Sequence, residues 1–419
     1  MLRIVFCGIV ALCAPMSIAA AQNASPHSPP AEPPARTASH WGDELGSTPL
    51  APAHSLPGAA ADTLHWPAPP LVDPPRPLRA IYVNAWAFGG GRLAQLVALA
   101  DSTEINAFVI DVKDDTGYLT YRSAVPTAVA IGADDKPRTR DVEARLRMLA
   151  EHGIYPIARI VVAKDPLLAS HKAAWAIQST GGGLWHDRLG FSWVDAFNDS
   201  VWVYASQLAA EAVRKGFAEV QYDYVRFPDE PKQRMATAVF ASRDSGETLR
   251  DGVVHGLRIL GQRTRPLGVR FTIDVFGLTT TAQGDMGIGQ HWEDLVSTAD
   301  VVLPMVYPSH YYRGMYDISR PNSKPYEIVH RALEDGLRRT TPLARAAEIR
   351  PYLQAFTLGP PRYTPAEVRA QIRAARDVGI ESWVLWNPRS AYDPGIFHGR
   401  EQALSAAGPA AAPIAGARN

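Results

Sequence analysis

The chain has 419 residues, and its 42 Lys and Arg residues are matched by 42 Asp and Glu residues. A net charge of +0 at pH 7, with no long run of one sign, gives no electrostatic reason to expect binding to nucleic acid or to a membrane surface. We therefore expect a neutral polymer or a small molecule as the partner.

The first 21 residues have the pattern of a secretory signal peptide. Arg3 precedes an apolar run from Ile4 to Ile18, and residues 19–21 are the small residues typical of a cleavage site. An uncleaved membrane anchor is the alternative, but the apolar run is shorter than the roughly 20 residues that a spanning helix needs. We predict cleavage after residue 21, export to the periplasm or the medium, and no stable membrane insertion of the mature protein.

Two further segments are predicted to be disordered. Residues 22–76 are dense in Pro, Ala and Ser and have no helical or strand period, and residues 406–419 have a similar bias. The only cysteines, Cys7 and Cys13, lie in the signal peptide, so the mature protein can form neither a disulfide nor a thiolate metal site. One folded domain is predicted over residues 77–405.

Eight short β-branched or apolar runs alternate with amphipathic helical stretches in this domain. The alternation is typical of a parallel sheet with crossover helices, and eight units close most economically as an α/β fold of the (β/α)8 TIM barrel type. The strands are predicted at 79–84, 107–112, 155–161, 219–224, 270–275, 300–307, 350–356 and 382–386. The helices are predicted at 92–102, 141–152, 199–216, 235–264, 290–298, 323–339, 364–378 and 397–406.

A doubly wound open sheet would have the same local pattern, but the sequence has no Gly-rich dinucleotide loop to support it. Two connections are long, one after the second strand at 113–140 and one after the third strand at 163–198. Loops of this length in a compact domain are more often functional than idle. Both are therefore candidate walls of a binding site.

Three carboxylates are predicted to meet at the C-terminal ends of the strands, where barrels of this type place their active sites. Successive side chains of a strand point to opposite faces of the sheet. This alternation sends Asp223 of EVQYDYVRFP and Asp274 of RFTIDVFG into the barrel, and it sends Asp111 and Lys113 of AFVIDVKDD inward as well. We predict Asp223, Asp274 and Asp111 as catalytic residues, because buried carboxylates are usually either paired or functional.

The spacing of these carboxylates bears on the reaction that they could catalyse. Adjacent parallel strands lie about 4.8 Å apart, so Asp223 and Asp274 at equal height fit the carboxylate pair of a retaining glycosidase. Asp111 and Asp223, two strands apart, fit the wider pair of an inverting enzyme. Alternative acids on the following loops are Asp114, Asp115 and Glu230.

Other side chains at the same rim are candidates for substrate binding. Flat aromatic rings suit sugar faces, since they bury area while their polar edges stay wet, although they could also simply close the top of the barrel. The candidates are Trp86, Lys113, Trp185, Arg226, Tyr307, His310, Gln354, Trp386 and Asn387. The histidines have no HxH or HExxH spacing, so neither a metal nor another cofactor is predicted, and a mixed site of His310 with two rim aspartates stays open.

Four segments resemble a known family. They are FSWVDAFNDSVWVYASQLAAEAVRKGFAEVQYDYVRFPDE, TIDVFG, VVLPMVYPSHY and SWVLWNP, and they lie within about residues 79–394. The family to which they are similar is one of bacterial glycoside hydrolases that is defined mainly by sequence. The resemblance implies an exported (β/α)8 barrel enzyme of carbohydrate metabolism, with Asp223 as a catalytic residue.

Three functions are open on the sequence. Two rim carboxylates, one ionised and one protonated, could hydrolyse a glycosidic bond of a carbohydrate substrate. A non-catalytic carbohydrate-binding barrel of the cell envelope would instead hold the carboxylates in salt bridges with Arg159, Arg226 or Lys113. A metal-assisted hydrolase or deacetylase would lose its activity on chelation.

Overall fold

The predicted barrel strands pair side by side into one closed parallel sheet. The computed structural model describes residues 73–399, so the predicted signal peptide, most of the predicted linker and the C-terminal tail lie outside the described residues. The strands are β1 (Arg79–Val83), β2 (Ala107–Lys113), β3 (Tyr155–Val161), β4 (Gln178–Ser179), β5 (Glu219–Asp223), β6 (Ala238–Val239), β7 (Phe271–Phe276), β8 (Val301–Met305), β9 (Glu348–Ile349), β10 (Tyr352–Gln354) and β11 (Trp383–Trp386). The order around the barrel is β1-β2-β3-β5-β7-β8-β10-β11, and β11 pairs with β1. The predicted (β/α)8 fold is confirmed.

The seventh predicted strand, 350–356, begins at an interruption between two short strands. β9 pairs with β8 near the start of the sheet, and β10 closes the barrel by pairing Tyr352 with Met305 of β8. Pro351 lies between the two pieces and has no backbone N–H to give to the ladder. The interruption therefore follows from the proline.

Helices follow the barrel strands on the outside. They are α1 (Ala85–Gly89), α2 (Arg92–Ser102), α3 (Pro126–Ala130), α4 (Val142–Glu151), α5 (Pro166–His171), α6 (Asp199–Lys215), α7 (Lys232–Met235), α8 (Leu249–Thr264), α9 (Trp292–Thr298), α10 (Pro325–Thr340) and α11 (Pro365–Asp377). Thr248 and Thr364 begin α8 and α11 with capping boxes that use Asp251 and Glu367. α6 ends at Gly216, whose φ of 116° lies in the left-handed region that glycine tolerates.

Two predicted helices differ from the structure. The predicted range 235–264 is too long, because α8 begins only after the cap at Thr248 and the preceding residues of β6 pair with β4. The predicted helix 397–406 begins with residues 397–399, which are not helical, and its remainder lies outside the described residues. Within residues 73–399, no helix is long and apolar enough to cross a bilayer.

Two apolar layers stabilise the barrel. Val109, Ile157 and Leu303 belong to the layer inside it, whereas Phe108 and Ile273 belong to the layer between the strands and the helices. Neighbouring residues of a strand alternate between the two layers, so a polar side chain in phase with the inner layer faces the barrel axis. Where such residues occur at the strand ends, they form the floor of the candidate site.

The long loop after β3 folds against the loop after β5. Gln178 of β4 pairs with Val239 of β6 in an antiparallel bridge. Trp185 is buried in this contact, and its Nε1 donates a hydrogen bond to Thr237 Oγ1 at 3.1 Å. Trp193, further along the same loop, is also buried. The loop is therefore a packed wall on one side of the barrel mouth.

Candidate active site

Arg159 connects two of the three predicted catalytic residues at the C-terminal ends of the strands. It lies on β3, and its Nη1 donates to Asp111 Oδ1 of β2 at 2.6 Å. On the other side, its Nη2 and Nε donate to Asp223 Oδ2 of β5 at 2.5 and 3.1 Å. All three side chains are buried, so these charge-assisted hydrogen bonds act in a region of low dielectric, where they are strong.

Asp274 of β7 has a different environment. Gln221 Nε2 donates to its Oδ2 at 2.8 Å, and the nearest cationic nitrogen, Arg159 Nε, is 3.9 Å away. Its buried Oδ1 accepts no hydrogen bond from the described residues. Burial, and then the charge of Asp223, raise the pKa of Asp274 well above its usual value, against the smaller opposing effect of Arg159. Burial and the neighbouring charge of Asp223 therefore favour the protonated form of Asp274.

The carboxyl groups of Asp223 and Asp274 face the same nitrogen. Arg159 Nε lies 3.1 Å from Asp223 Oδ2 and 3.9 Å from Asp274 Oδ2, so the two oxygens are within about 7 Å of each other, close enough to act on one glycosidic bond. The inward convergence that strand alternation predicts for these residues is present in the structure. Their catalytic role stays a prediction.

Asp111 also titrates above its usual range. Burial raises its pKa from 3.8 to about 6, although Arg159 and a hydrogen bond from Tyr82 Oη, at 2.5 Å, lower it. Tyr82 lies on β1 and stacks on Trp386 of β11, with ring centroids 3.8 Å apart. Trp386 is only half-buried, so this aromatic pair forms part of the floor beside the carboxylates and leaves a ring accessible there.

The backbone after β5 fixes the position of Asp223. Tyr224 has a φ of 55°, which is unusual for a residue with a large side chain, and its backbone N–H donates to Asp223 Oδ1 at 2.6 Å. Such strained conformations persist where the surrounding structure enforces them, and they cluster at functional sites. The hydrogen bond from Tyr224 and those from Arg159 together fix the orientation of the Asp223 carboxylate.

Lys113 does not face the barrel interior, so its predicted inward orientation is wrong. The register between β2 and β3 shifts after Asp111, so that Lys113 lies opposite Ile160 of the outer layer. A bulge of this kind adds one residue to a strand and reverses the alternation that follows it. Lys113 Nζ instead pairs with Asp165 Oδ2 at 2.5 Å and lies 5.2 Å from the ring centroid of Tyr204 on α6. It is not part of the site.

Gln354 is inside the barrel wall but is fully engaged by the backbone. Its Oε1 accepts from the N–H of Ser309 at 3.1 Å, and its Nε2 donates to the carbonyl of Phe356 at 3.0 Å. The residue is completely buried. Gln354 therefore orders the loops after β8 and β10 through both ends of its amide group.

The other predicted binding residues lie around the mouth. Tyr307 is buried, and its Oη has no hydrogen-bond partner among the described residues. The exposed ring of His310 packs edge-on against it, with centroids 5.2 Å apart. Trp86 on α1 is 67% exposed and stacks on the guanidinium of Arg138 at 3.6 Å. Arg226, three residues after Asp223, is buried and makes no ion pair within residues 73–399.

The loop carboxylates suggested as alternative acids are held by local contacts. Asp115 pairs with Lys164 at 2.7 Å, and Glu230 accepts from the N–H of Arg188 at 3.1 Å. Asp114 accepts from the N–H of Thr116 at 3.0 Å, and burial raises its pKa. Among the described residues, no group of three or more His, Cys, Asp or Glu side chains is placed to hold a metal ion.

Several residues of the cluster were not predicted to have a role in it. Tyr82 and Tyr352 point inward from β1 and β10, and Gln221 Nε2 donates to Tyr352 Oη at 2.6 Å. The same alternation that predicts the position of Asp223 also predicts that of Tyr82, two residues after the inward Ala80. Arg159 on β3, by contrast, was predicted as a salt-bridge partner of the rim carboxylates under the non-catalytic alternative, and it does pair with Asp111 and Asp223.

Comparisons with known proteins bear on the family and the fold of the chain. A family with the description "Putative glycosyl hydrolase domain" matches residues 80–392. A hypothetical protein from Ruminiclostridium thermocellum is 37% identical over 45% of this chain and 94% of its own, with a TM-score of 0.41. The PgaB (BpsB) glycoside hydrolase domain from Bordetella bronchiseptica is 15% identical over 75% of this chain and 94% of its own, with a TM-score of 0.51, which shows a shared fold. No curated protein matches the sequence.

Proposed function

Because the chain belongs to the glycosyl hydrolase domain family that matches residues 80–392, we propose that it hydrolyses a glycosidic bond of a polysaccharide or oligosaccharide. One observation carries this proposal. Asp274, whose pKa is raised by burial and by Asp223, lies beside an Asp223 that is paired with Arg159. Two carboxyl groups with opposite protonation states are what acid-assisted cleavage of a glycoside needs.

Each carboxyl group then has a distinct task. Asp274 gives its proton to the oxygen of the leaving sugar as the glycosidic bond breaks. The Asp223 carboxylate either bonds to the anomeric carbon, in an intermediate that water then hydrolyses, or takes the proton of a water that attacks this carbon directly. Arg159 holds Asp223 in position through two hydrogen bonds. The half-buried ring of Trp386 offers a flat surface for a sugar face beside them.

The proposal is tested by reducing-end release. The purified protein is incubated with bacterial exopolysaccharides, peptidoglycan glycans and plant polymers, beside Asp274→Asn and Asp223→Asn. We expect kcat to fall about 10²–10⁴-fold in Asp274→Asn, because an amide cannot supply the proton. Asp101→Asn, which changes an exposed carboxylate on α2, is the control and should keep full activity. Equal activity of the wild type and both site variants would disprove the proposal.

A non-catalytic carbohydrate-binding barrel is the second candidate, and one observation favours it. Arg159 engages both Asp111 and Asp223 in ion pairs, which is the arrangement expected if the rim carboxylates only support the fold. Under this candidate, the wild type binds a glycan and releases no reducing ends. Asp223→Asn would then keep the binding, whereas under the hydrolase proposal it loses turnover.

Export to the periplasm or the medium is part of the proposed function. The support is the pattern of Arg3, an apolar run and three alanines in the first 21 residues. N-terminal sequencing of the protein recovered from a bacterial host's periplasm and medium checks it. A mature protein that begins at residue 22 is expected, and retention of the intact N-terminus in the cytoplasm would contradict export.

A further inference from the structure

Arg226 differs from every other buried cation of residues 73–399. These cations are Lys113, Arg159, Lys164, Arg226 and Arg350. Four of them have a carboxylate oxygen within 2.7 Å. Arg226 is only 7% exposed, yet it has no carboxylate within ion-pairing distance in the described part of the chain. A buried charge is costly unless it is paired, so this position requires an explanation.

The guanidinium of Arg226 lies among aromatic rings. Its Cζ is 5.1 Å from the ring centroid of Trp193, 4.7 Å from that of Tyr224 and 4.4 Å from that of Phe276. Such contacts contribute about 0.5–2 kcal/mol each, but they satisfy none of the N–H groups. Only Nη1 donates to the protein, to the carbonyl of Phe227 at 3.0 Å, so most of the N–H groups of the guanidinium are available to a ligand.

The surroundings place this guanidinium at the candidate active site. Tyr224 directly follows Asp223, and Phe276 comes two residues after Asp274. A ligand group bound to Arg226 would therefore lie at the C-terminal ends of β5 and β7, close to the segments that follow Asp223 and Asp274. Trp193 of the long loop packs against the same guanidinium and is itself buried. The site has a fixed cation, a desolvated environment and an adjacent pair of reactive groups.

We propose that Arg226 binds the carboxylate of a hexuronic acid residue, so that the substrate is an acidic glycan. This inference rests on the proposed function, because the uronate is assigned to the sugar at the candidate catalytic pair. The planar guanidinium matches a carboxylate through two parallel hydrogen bonds, which a neutral hydroxymethyl group cannot form. The net charge of +0 predicts a neutral partner for the protein as a whole, whereas the preference for an acid comes from this one position.

Calorimetric binding tests the inference without requiring turnover. The probes are tetragalacturonate, the neutral galactotetraose and a sulfated galactotetraose, and the proteins are the wild type, Arg226→Gln and Arg226→Lys. We expect the wild type to bind tetragalacturonate at least about tenfold more tightly than galactotetraose, and we expect Arg226→Gln to lose this difference. Arg226→Lys should retain part of it, because it keeps the charge but not the planar fork.

Two controls separate this effect from a general loss of structure. Arg243→Gln removes an exposed arginine that also lies near an aromatic ring, Phe197 at 5.5 Å, and it should bind all probes like the wild type. Thermal unfolding of the Arg226 variants shows whether they are folded. If either variant is unfolded, the wild-type preference between the acidic and neutral probes still decides the outcome.

Each contrary result has a definite meaning. Equal affinity of the wild type for the acidic and neutral probes would overturn the inference, and so would an Arg226-dependent preference for the sulfated probe over the uronate. Uronate binding that depends on Arg226, without hydrolysis of any acidic glycan, would leave the subsite in place and count against the proposed hydrolase. Hydrolysis of neutral glycans alone would support the proposed hydrolase and count against the uronate subsite.

Discussion

The lower end of the barrel, where the strands begin, and the mouth, where they end, each bury an arginine among carboxylates. At the lower end, Arg350 pairs with Glu219 at 2.7 Å and with Glu348 at 3.4 Å. Glu348 also pairs with Arg270 at 2.8 Å. Two cations thus face two carboxylates, and the charges are balanced.

At the mouth, Arg159 is the one cation of residues 73–399 that lies within ion-pairing distance of Asp111, Asp223 and Asp274. Three carboxylates and one cation leave an excess of negative charge. Because an uncompensated carboxylate is costly in low-dielectric surroundings, protonation of one carboxyl group is favoured. The pKa of Asp274 is accordingly raised well above its usual value, first by burial and then by Asp223. The comparison indicates that the lower cluster supports the fold. At the mouth, by contrast, Asp274 with its raised pKa lies beside the charged carboxylate of Asp223.

The largest difference in stability is expected between two matched carboxylate-to-amide changes. Glu219→Gln leaves the buried guanidinium of Arg350 without its nearest partner and should lower the free energy of unfolding by about 3–5 kcal/mol. Asp274→Asn replaces a protonated carboxyl with a neutral group of the same shape, so we expect a change below about 1 kcal/mol. Urea unfolding measures both. A loss in Asp274→Asn as large as that in Glu219→Gln would mean that Asp274 is charged and structural.

The sequence predicts the positions of the residues at the mouth better than their protonation and hydrogen bonding. Strand alternation is strict within an unbroken strand, which is why Asp223 and Asp274 are predicted inward and are found there. It fails at Lys113, because a bulge after Asp111 reverses the phase, and nothing in AFVIDVKDD marks that bulge. The positions of the barrel strands follow from short apolar runs, but the break at Pro351 depends on a single residue.

The protonation state of a side chain and its hydrogen-bond partners depend on the residues that surround it in the folded protein. The raised pKa of Asp274 follows from its burial and from the neighbouring charge of Asp223, and no local sequence pattern reveals either. Gln354 was a reasonable ligand-binding residue by its position at the end of a strand. The structure shows its amide bonded to the backbone of Ser309 and Phe356, and those contacts depend on how two distant loops close.

A smaller effect, of opposite sign at the two ends, is expected in the pH dependence of stability. Burial raises the pKa of Asp111 from 3.8 to about 6, so the folded state holds this proton more tightly than the unfolded state. Its contribution is therefore complete below pH 3.8 and is lost as the pH rises through 6. The difference in unfolding free energy between the wild type and Asp111→Asn should fall over this range by on the order of 2–3 kcal/mol.

Glu348 at the lower end is the matched control for the Asp111 measurement. Its burial raises the pKa, but the ion pairs with Arg350 and Arg270 outweigh that effect and lower it from 4.5. A lowered pKa stabilises the fold above 4.5, and this contribution is lost as the pH falls. The difference between the wild type and Glu348→Gln should therefore rise with pH. Chemical denaturation at several pH values gives these differences in unfolding free energy. If they changed with pH in the same direction for Asp111→Asn and Glu348→Gln, the contrast between the two ends would be refuted.

The smallest effect distinguishes two buried tyrosines. At the lower end, Tyr155 Oη donates to the carbonyl of Ala218 at 3.0 Å, so Tyr155→Phe should lower the unfolding free energy by about 1 kcal/mol. At the mouth, Tyr307 Oη has no partner among residues 73–399, so Tyr307→Phe should leave stability unchanged or raise it slightly, since it removes an unsatisfied polar group. Urea unfolding of both variants measures the difference. An equal loss in Tyr307→Phe would show that its hydroxyl is satisfied within the folded protein, whereas the expected neutral result favours a hydroxyl that is retained for a ligand at the mouth.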